Sequence, residues 1–390
     1  MKKAKKPLSA QEYLRKVNKE DAHTIVNLKN RQAIDFVPTG SWIIDSLIGD
    51  GTMTGKPGGL PRGHIVEIFG DESSGKTTFV LSAIKCAQEL GSVGILVDFE
   101  QTFHPDYAQK IGVDLSPDKF ILVQPNYFQQ GARQIFDMLM MKPYIIAVDS
   151  VSAMIPKEFL QGDIDESARI GLQAQLMSVF LNYITKFLKA SNTNLLFTNQ
   201  LRTVIKKSKY ETGPDEESSG GRALKFYSSV RISLKRSIVE KIDVTSKLTG
   251  KKDKEPTNVT IKASVVKNKI DKPYKSAPVY IRFGIGFDNI KSIMELAINS
   301  KVIVKGGSFY SFTLNKELIF KVQGKEQLWK KLNTDMDAFK KVQDCLTINQ
   351  DNEIQEIYQN TENEGDDFDS LMENVADSFV KKEKEKKKRK

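Results

Sequence analysis

The chain has 390 residues, 39% of them hydrophobic and 28% charged, with a formal net charge of +10. That length supports one large core with a smaller domain beside it. No run of 18 apolar residues occurs, so no membrane span is expected, and the opening Met-Lys-Lys-Ala-Lys-Lys lacks the apolar stretch of a secretory signal.

Residues 1–36 are polar and basic. They read either as a frayed tail or as an assembly arm that docks on another subunit. Ser9 can cap a helix carrying Tyr13, Leu14 and Val17 on one side, too little apolar surface for a helix standing alone. The main core is expected over 37–286. Pro38-Thr39-Gly40-Ser41 leads into a short helix, Trp42 to Leu47, and Gly49 to Gly63 reads as loop from its glycines and prolines.

Ile65-Val66-Glu67-Ile68-Phe69 reads as a buried strand, and a helical pattern runs from Thr77 to Leu90. Between them lie Gly70, Asp71, Glu72, Ser73, Ser74, Gly75, Lys76, Thr77 and Thr78, which match G-x-x-x-x-G-K-[ST] in the strand–loop–helix setting that motif needs. Its glycines let successive N–H groups turn inward as an anion nest. The helix N-terminus adds a positive dipole end. Lys76 is placed for the outer phosphates of ATP and the Thr77 hydroxyl for Mg²⁺.

Four further apolar runs, Gly94 to Phe99, Phe120 to Val123, Tyr144 to Val148 and Asn194 to Thr198, alternate with helical patterns. Unbroken apolar strands are covered on both faces, so the core is α/β with a mainly parallel sheet. The run ending in Asp149 has the Walker B pattern, an apolar strand whose carboxylate helps hold Mg²⁺. Glu100 follows the strand ending at Phe99. It is either the base that orients the attacking water or an exposed loop residue. Val230 to Leu234, Val259 to Val266 and Val279 to Phe283 follow without long helices between them, so antiparallel edge strands are expected there.

Lys157 to Gly171 and Leu201 to Ser219 are long polar segments, either solvated surface or functional loops. In the second, Arg202, Lys206 and Lys207 can meet phosphates, and Val204 and Ile205 can wedge between bases. Gly220 and Gly221 offer backbone N–H groups, and Arg222 adds charge.

From Asp288 the texture changes. Ile290, Ile293, Met294 and Ala297 recur at helical spacing, followed by a Val/Phe/Tyr-rich stretch, Val302 to Phe312, and helical patterns at Glu326 to Leu332 and Met336 to Cys345. This reads as a small α+β domain over 287–348. Residues 349–390 are expected to be a disordered tail. It is acidic first, with ten Asp/Glu and no Lys/Arg over 351–379, then basic, with eight Lys/Arg against two Glu over 381–390. The charge is therefore unevenly distributed, and the overall basic balance is weak evidence by itself. The two cysteines, Cys86 and Cys345, have neither disulfide nor metal spacing and fit a reducing compartment.

The stretch Ile65 to Thr78 closely resembles the phosphate loop of the bacterial RecA recombinase family. So do Asp149-Ser150-Val151, Ser191-Asn192-Thr193, Asn199-Gln200-Leu201-Arg202, Gly220-Gly221-Arg222-Ala223-Leu224-Lys225-Phe226-Tyr227 and Val265-Val266-Lys267-Asn268-Lys269-Ile270, in the family's order and at nearly its spacing. The resemblance covers roughly residues 37–345. It implies a RecA-type core and a DNA-dependent ATPase that forms a filament on single-stranded DNA and exchanges strands with a homologous duplex. It assigns Glu100 to water activation and Tyr107 to adenine stacking. Gln200 senses the γ-phosphate, and Lys267 and Lys269 reach the neighbouring subunit's phosphates. The 157–171 segment corresponds to the first DNA loop, with Arg169, Ile170 and Gly171 at its end and Ile170 in the place of an inserting apolar residue, although Asp163, Asp165 and Glu166 do not suit phosphate. Single-strand-binding and loader proteins are implied as accessory partners, and no membrane is.

The chain departs from the family pattern at His104, where the family has Asp beside the adenine, and at Gln175, which replaces an arginine near DNA. It also has a longer 202–220 loop, an apparent insertion over 51–59 and the basic end. These departures mark a divergent member of the kind a phage encodes, expected at the nucleoid or in the phage-infected bacterial cytoplasm. The competing readings are a ring-shaped helicase of the same fold and a regulatory DNA-binding ATPase. The Lys267/Lys269 pair argues against the first, because ring motors place an arginine there.

Overall fold

The computed structural model describes residues 34–49, 58–160, 166–203, 216–218, 221–245 and 252–346. Most of the N-terminal arm, most of the 51–59 insertion, the tail, Asp163, Asp165 and the 204–215 segment lie outside those residues, as do Gly220 and the pair Lys206 and Lys207.

The chain enters through β1 (Phe36–Val37), α1 (Trp42–Ile48) and β2 (Leu60–Pro61). Ser41 caps α1 by accepting from the Ile44 N–H. The Gly49–Gly63 region is not all loop, since β2 pairs antiparallel with β1. The core then runs β3 (Ile65–Gly70), α2 (Lys76–Glu89), β4 (Gly94–Asp98), α3 (Pro105–Ile111), β5 (Phe120–Val123), α4 (Phe128–Met138), β6 (Ile145–Asp149), α5 (Lys157–Leu160), α6 (Glu166–Ser191), β7 (Asn194–Thr203), β8 (Glu216–Ser218), α7 (Gly221–Tyr227), β9 (Val230–Thr245), β10 (Lys252–Asn268), β11 (Ser276–Arg282) and β12 (Gly286–Phe287).

Among the described residues these strands form a ten-stranded sheet in the order β12-β11-β10-β9-β3-β7-β6-β4-β5, with β8 beside β7. The apolar runs are buried on both faces, as their composition requires. Val66, Ile68, Leu96 and Ala147 face one core with α2, while Ile65, Val97, Val148 and Phe197 face the other with α6. Phe79 of α2 is fully buried and meets Phe287 edge-on at 6.1 Å. Burying such a ring contributes about 2–3 kcal/mol.

Three expectations need correction. Val230 to Leu234 is not an antiparallel edge. It begins β9, which lies parallel to β3 and inside the sheet, and antiparallel pairing starts only with β10. β9 and β10 also run to 16 and 17 residues, well past the apolar runs that marked them. Their outer halves pair with each other, Glu240 to Thr245 against Lys252 to Asn258, beyond the apolar runs that signal the core part of each strand. The 157–171 segment is not a continuous loop: α5 and the first turns of α6 occupy its ends, which places Arg169, Ile170 and Gly171 in helix. Gln173 ties that helix start to the core by donating to the carbonyls of Val151 and Met154, each at 3.0 Å. Finally, Leu201 to Ser219 is not without structure, because Leu201, Arg202 and Thr203 pair with Ser218, Glu217 and Glu216.

The C-terminal elements are α8 (Asn289–Asn299), β13 (Val304–Gly306), β14 (Phe309–Leu314), β15 (Glu317–Gln323), α9 (Lys325–Thr334) and a helix, α10, over 336–346. Asp288 caps α8 through the Lys291 N–H, and Ile293, Met294 and Ala297 are buried as their spacing requires. The Val302–Phe312 stretch holds two strands, and β15 completes an antiparallel sheet that the sequence pattern did not reveal.

Candidate functional site

β3 ends at Gly70, and the chain turns through Ser73 and Gly75, both at positive φ, into α2. No side chain caps that helix, so its first N–H groups are open to an anion. Lys76 Nζ donates to the carbonyls of Gly70 at 2.9 Å and Asp71 at 2.6 Å. Burial pushes its ammonium below the ordinary lysine range, while Asp149, Glu100, Asp71 and Glu72 pull it back. The loop therefore holds a partly desolvated cation among carboxylates, ready for a stronger anionic partner.

Close packing forms the cradle. A Cβ on Gly70 would lie 2.1 Å from the Leu234 carbonyl oxygen, and one on Gly75 2.6 Å from Ile281 Cδ1. The adjoining cleft, about 260 Å³, is lined by Ser73 to Thr78 except Ser74, together with Tyr107, Val259, Ile281 and Phe283. Tyr107 shares a 2.6 Å hydrogen bond between its Oη and Thr78 Oγ1, so a ring suited to stacking on a base is anchored to the phosphate loop. His104 is exposed at the start of α3, the helix that carries Tyr107.

Asp149 closes the opposite side. Thr77 Oγ1 lies 3.4 Å from Asp149 Oδ2, and Thr198 Oγ1 donates to Asp149 Oδ1 at 2.6 Å. Burial raises the Asp149 carboxyl above the ordinary range, Thr198 opposes that, and Glu100 and Asp98 add to it. A hydroxyl and a carboxylate oxygen are the hard donors Mg²⁺ takes when it keeps several waters and phosphate oxygens. Among the described residues no group of three His, Cys, Asp or Glu could hold a metal by itself.

Glu100 is not a free loop side chain. Its Oε1 accepts from Gln200 Nε2 at 3.2 Å and from the Ser150 hydroxyl. Asp98, buried at the end of β4, holds the segment after Glu100 by accepting from the Phe103 N–H at 3.0 Å and Gln124 Nε2 at 3.1 Å. The structure thus gathers Lys76, Thr77, Tyr107, Asp149, Glu100 and Gln200 around the carboxyl edge of the sheet. Sequence reasoning missed Asp98, Ser150, Thr198 and the apolar wall of Val259, Ile281 and Phe283. Ser150 and Thr198 lie inside the motifs, but which hydroxyl faces which carboxylate depends on the register between β6 and β7.

Lys267 and Lys269 stand apart. Lys267 is level with Arg231 on β9, which is level with Glu67 on β3, while Gly70 is level with Leu234. Lys267 is therefore three residues short of the phosphate loop, roughly 10 Å along the strands, and two strands away, roughly 10 Å across. Its Nζ donates to the carbonyls of Lys225 at 2.6 Å and Phe226 at 3.0 Å, and Lys269 Nζ is 3.5 Å from the latter. Burial, then Lys269 and Arg231, pushes the Lys267 ammonium down.

Among the candidate DNA residues, Arg202 continues the strand that carries Gln200. Arg202 lies two residues beyond it on β7, Gly221 begins α7 and Arg222 is exposed there. Val204 and Ile205 fall outside the described residues.

A mainly parallel sheet with a phosphate loop at its carboxyl edge, and a strand-terminal aspartate beside that loop, defines a P-loop ATPase. The family model for the RecA N-terminal domain matches residues 9–288. The RecA protein of Nocardia farcinica is 38% identical over 327 residues, 82% of this chain and 86% of that protein. That of Lactobacillus acidophilus is 37% identical over 313 residues, 80% and 78% of the two chains. That of Tropheryma whipplei is 39% identical over 289 residues, 74% of this chain but 61% of its own length. The chain belongs to the RecA family, as a nucleotide- and DNA-binding recombinase of the homo-oligomeric, DNA-dependent ATPase type that acts in recombination and repair. Among the described residues no helix is long and apolar enough to cross a membrane.

Proposed function

We propose that this chain hydrolyses MgATP at a site completed by its neighbour in a filament on single-stranded DNA, and that this filament pairs and exchanges strands with a homologous duplex. Lys76 and the loop N–H groups bind the β- and γ-phosphates, and Tyr107 stacks on the base. Thr77 and Asp149 hold Mg²⁺, which neutralises charge on the phosphate oxygens when bound. Glu100 orients and deprotonates the attacking water. Gln200, hydrogen-bonded to Glu100 and two residues from Arg202, passes the nucleotide state to the DNA segments. Those are 202–222, with Arg202, Val204, Ile205, Lys206, Lys207, Gly220, Gly221 and Arg222, and the first turns of α6, with Arg169, Ile170 and Gly171. The domain division is 1–36 for assembly, 37–286 for ATPase and DNA binding, 287–348 for the small α+β unit and 349–390 for the tail. Single-strand-binding and loader proteins are the accessory partners, and the compartment is the bacterial cytoplasm, at the nucleoid or during phage infection.

The observation that carries this reading is the distance between Lys267 and its own phosphate loop. A cation that stabilises charge on a transferring phosphoryl group is often supplied in trans, and the offset of Lys267, roughly 10 Å along and roughly 10 Å across the sheet, supports that here. Mixing tests it. Lys76→Ala subunits lack a working loop but still offer the lysines; Lys267→Ala/Lys269→Ala subunits have the loop but offer none. Each alone should be inactive with single-stranded DNA, and a mixture should hydrolyse ATP. An inactive mixture, with both variants still forming filaments, would refute supply in trans.

A further inference from the structure

Glu67 lies in the middle of β3 with its side chain fully buried. A leucine would fill that place at no electrostatic cost, because charges are expensive to bury even when paired. The carboxylate is held from both sides. Asn199 Nδ2 of β7 donates to Oε1 at 2.9 Å, and Arg231 Nε of β9 donates to Oε2 at 2.5 Å. The Arg231 guanidinium also lies 4.6 Å over the Phe69 ring.

Each partner leads to a different part of the reaction. The Asn199 Oδ1 accepts the backbone N–H of Gln200 at 3.0 Å, and the Gln200 side chain donates to Glu100. Arg231 is directly opposite Lys267 across the β9–β10 pair. One hydrogen-bonded line therefore runs from Glu100 through Gln200, Asn199 and Glu67 to Arg231, ending beside Lys267. It starts at the water-activating carboxylate of this subunit's own site and stops at the cation this subunit offers to its neighbour.

We propose that Glu67 is a positioning residue that couples a subunit's own nucleotide state to the placement of Lys267 in the neighbouring site. This rests on the trans reading of Lys267. When a γ-phosphate engages Gln200, the end of β7 that carries Asn199 is held differently, and the Glu67 carboxylate redistributes between Asn199 and Arg231. The closer it sits to Arg231, the more it offsets the positive charge that repels Lys267, since the Glu67 and Arg231 side chains are themselves little exposed to screening water. ATP binding in one subunit then prepares catalysis in the next, so hydrolysis rises steeply with ATP concentration.

The test compares wild type with Glu67→Gln, Arg231→Gln and the double variant Glu67→Gln/Arg231→Gln. It reads urea midpoints and the ATP dependence of hydrolysis on single-stranded DNA. Each single variant removes one charge of the Glu67–Arg231 ion pair and keeps the other, and should lower the midpoint; the double removes both charges and should recover much of it. If Glu67 couples the sites, the Hill coefficient exceeds 1 in wild type and falls to about 1 in the double variant despite that recovery. A double variant that recovers both stability and the steep ATP dependence would show that Glu67 only supports the sheet and would overturn the proposal, as would a wild-type Hill coefficient of about 1. Lys267→Ala/Lys269→Ala is run alongside. If it keeps DNA-stimulated hydrolysis, the trans reading fails. If it loses it while Glu67→Gln/Arg231→Gln stays steep, only the coupling fails.

Discussion

Thr198→Val should expose how the Thr198 hydroxyl opposes the upward push of burial on the Asp149 carboxyl. Valine has nearly the shape of threonine, so the substitution removes one hydroxyl from a fully buried position without opening a cavity. That hydroxyl donates to Asp149 Oδ1 at 2.6 Å and lies 3.3 Å from the Val148 carbonyl. A hydrogen bond to a charged group contributes about 1.5–3 kcal/mol, and one to a neutral group about 1 kcal/mol. Burial already raises the Asp149 carboxyl and Thr198 opposes it, so the variant's carboxyl should rise further. A folded-state value above the unfolded one means that the folded state holds the extra proton, and stability falls as pH rises through that window. The variant should therefore lose about 1.5–3 kcal/mol against wild type at pH 8 and about 1 kcal/mol at pH 4. Urea unfolding at both pH values, without nucleotide or Mg²⁺, measures this. A loss that is equal at the two pH values, or larger at pH 4, would refute the assignment. The acid limb of DNA-stimulated hydrolysis should also move to higher pH.

Gly70→Ala should abolish nucleotide binding, because its Cβ would meet a backbone carbonyl of the paired strand β9 at 2.1 Å; retention of tight binding of a fluorescent ATP analogue would contradict that packing. Burial raises the Asp45 carboxyl to about 7, against an unfolded value of about 3.9. The folded state keeps the proton between those values, so this group costs stability as pH rises from about 4 to about 7, at up to about 1.4 kcal/mol per pH unit. Asp45→Asn keeps an acceptor for the Thr39 N–H and should flatten that part of the stability profile; an unchanged slope would show the carboxyl to be solvated. Phe79→Ala should cost about 3–5 kcal/mol, as deletion of a fully buried ring does, read from the urea midpoint; a cost under about 1 kcal/mol would mean that the α2 face is loosely packed.

The parallel part of the fold was legible because each of its strands is buried on both faces, so Ile65–Phe69 and Tyr144–Val148 stand out as apolar runs against polar helices. The phosphate loop was legible for a local reason: strand, glycines, lysine and helix are contiguous. What could not be read depends on pairings between distant strands. The apolar cleft wall comes from β10 and β11, nearly two hundred residues from Gly75. The Thr198 and Ser150 contacts depend on how β7 and β6 are set beside each other and on the turn after β6. Val230 to Leu234 looked like an edge because no long helix separates it from the strands that follow, yet these residues run parallel to β3 in the sheet interior. The helical start of α6 was hidden by a polar, glycine-containing sequence that resembles a loop until Gln173 is seen bonding to the core. Glu67 lies in plain view in an apolar run, and its meaning depends on Asn199 and Arg231 lying on either side.

On this reading no subunit holds a complete site. That is tested most directly by ATP hydrolysis with and without single-stranded DNA, for wild type and for Lys267→Ala/Lys269→Ala. Hydrolysis strongly stimulated by DNA in the wild type and lost in the variant, with ATP binding retained, is the predicted result. Hydrolysis that ignores DNA and survives the substitution would show that each subunit holds a complete site.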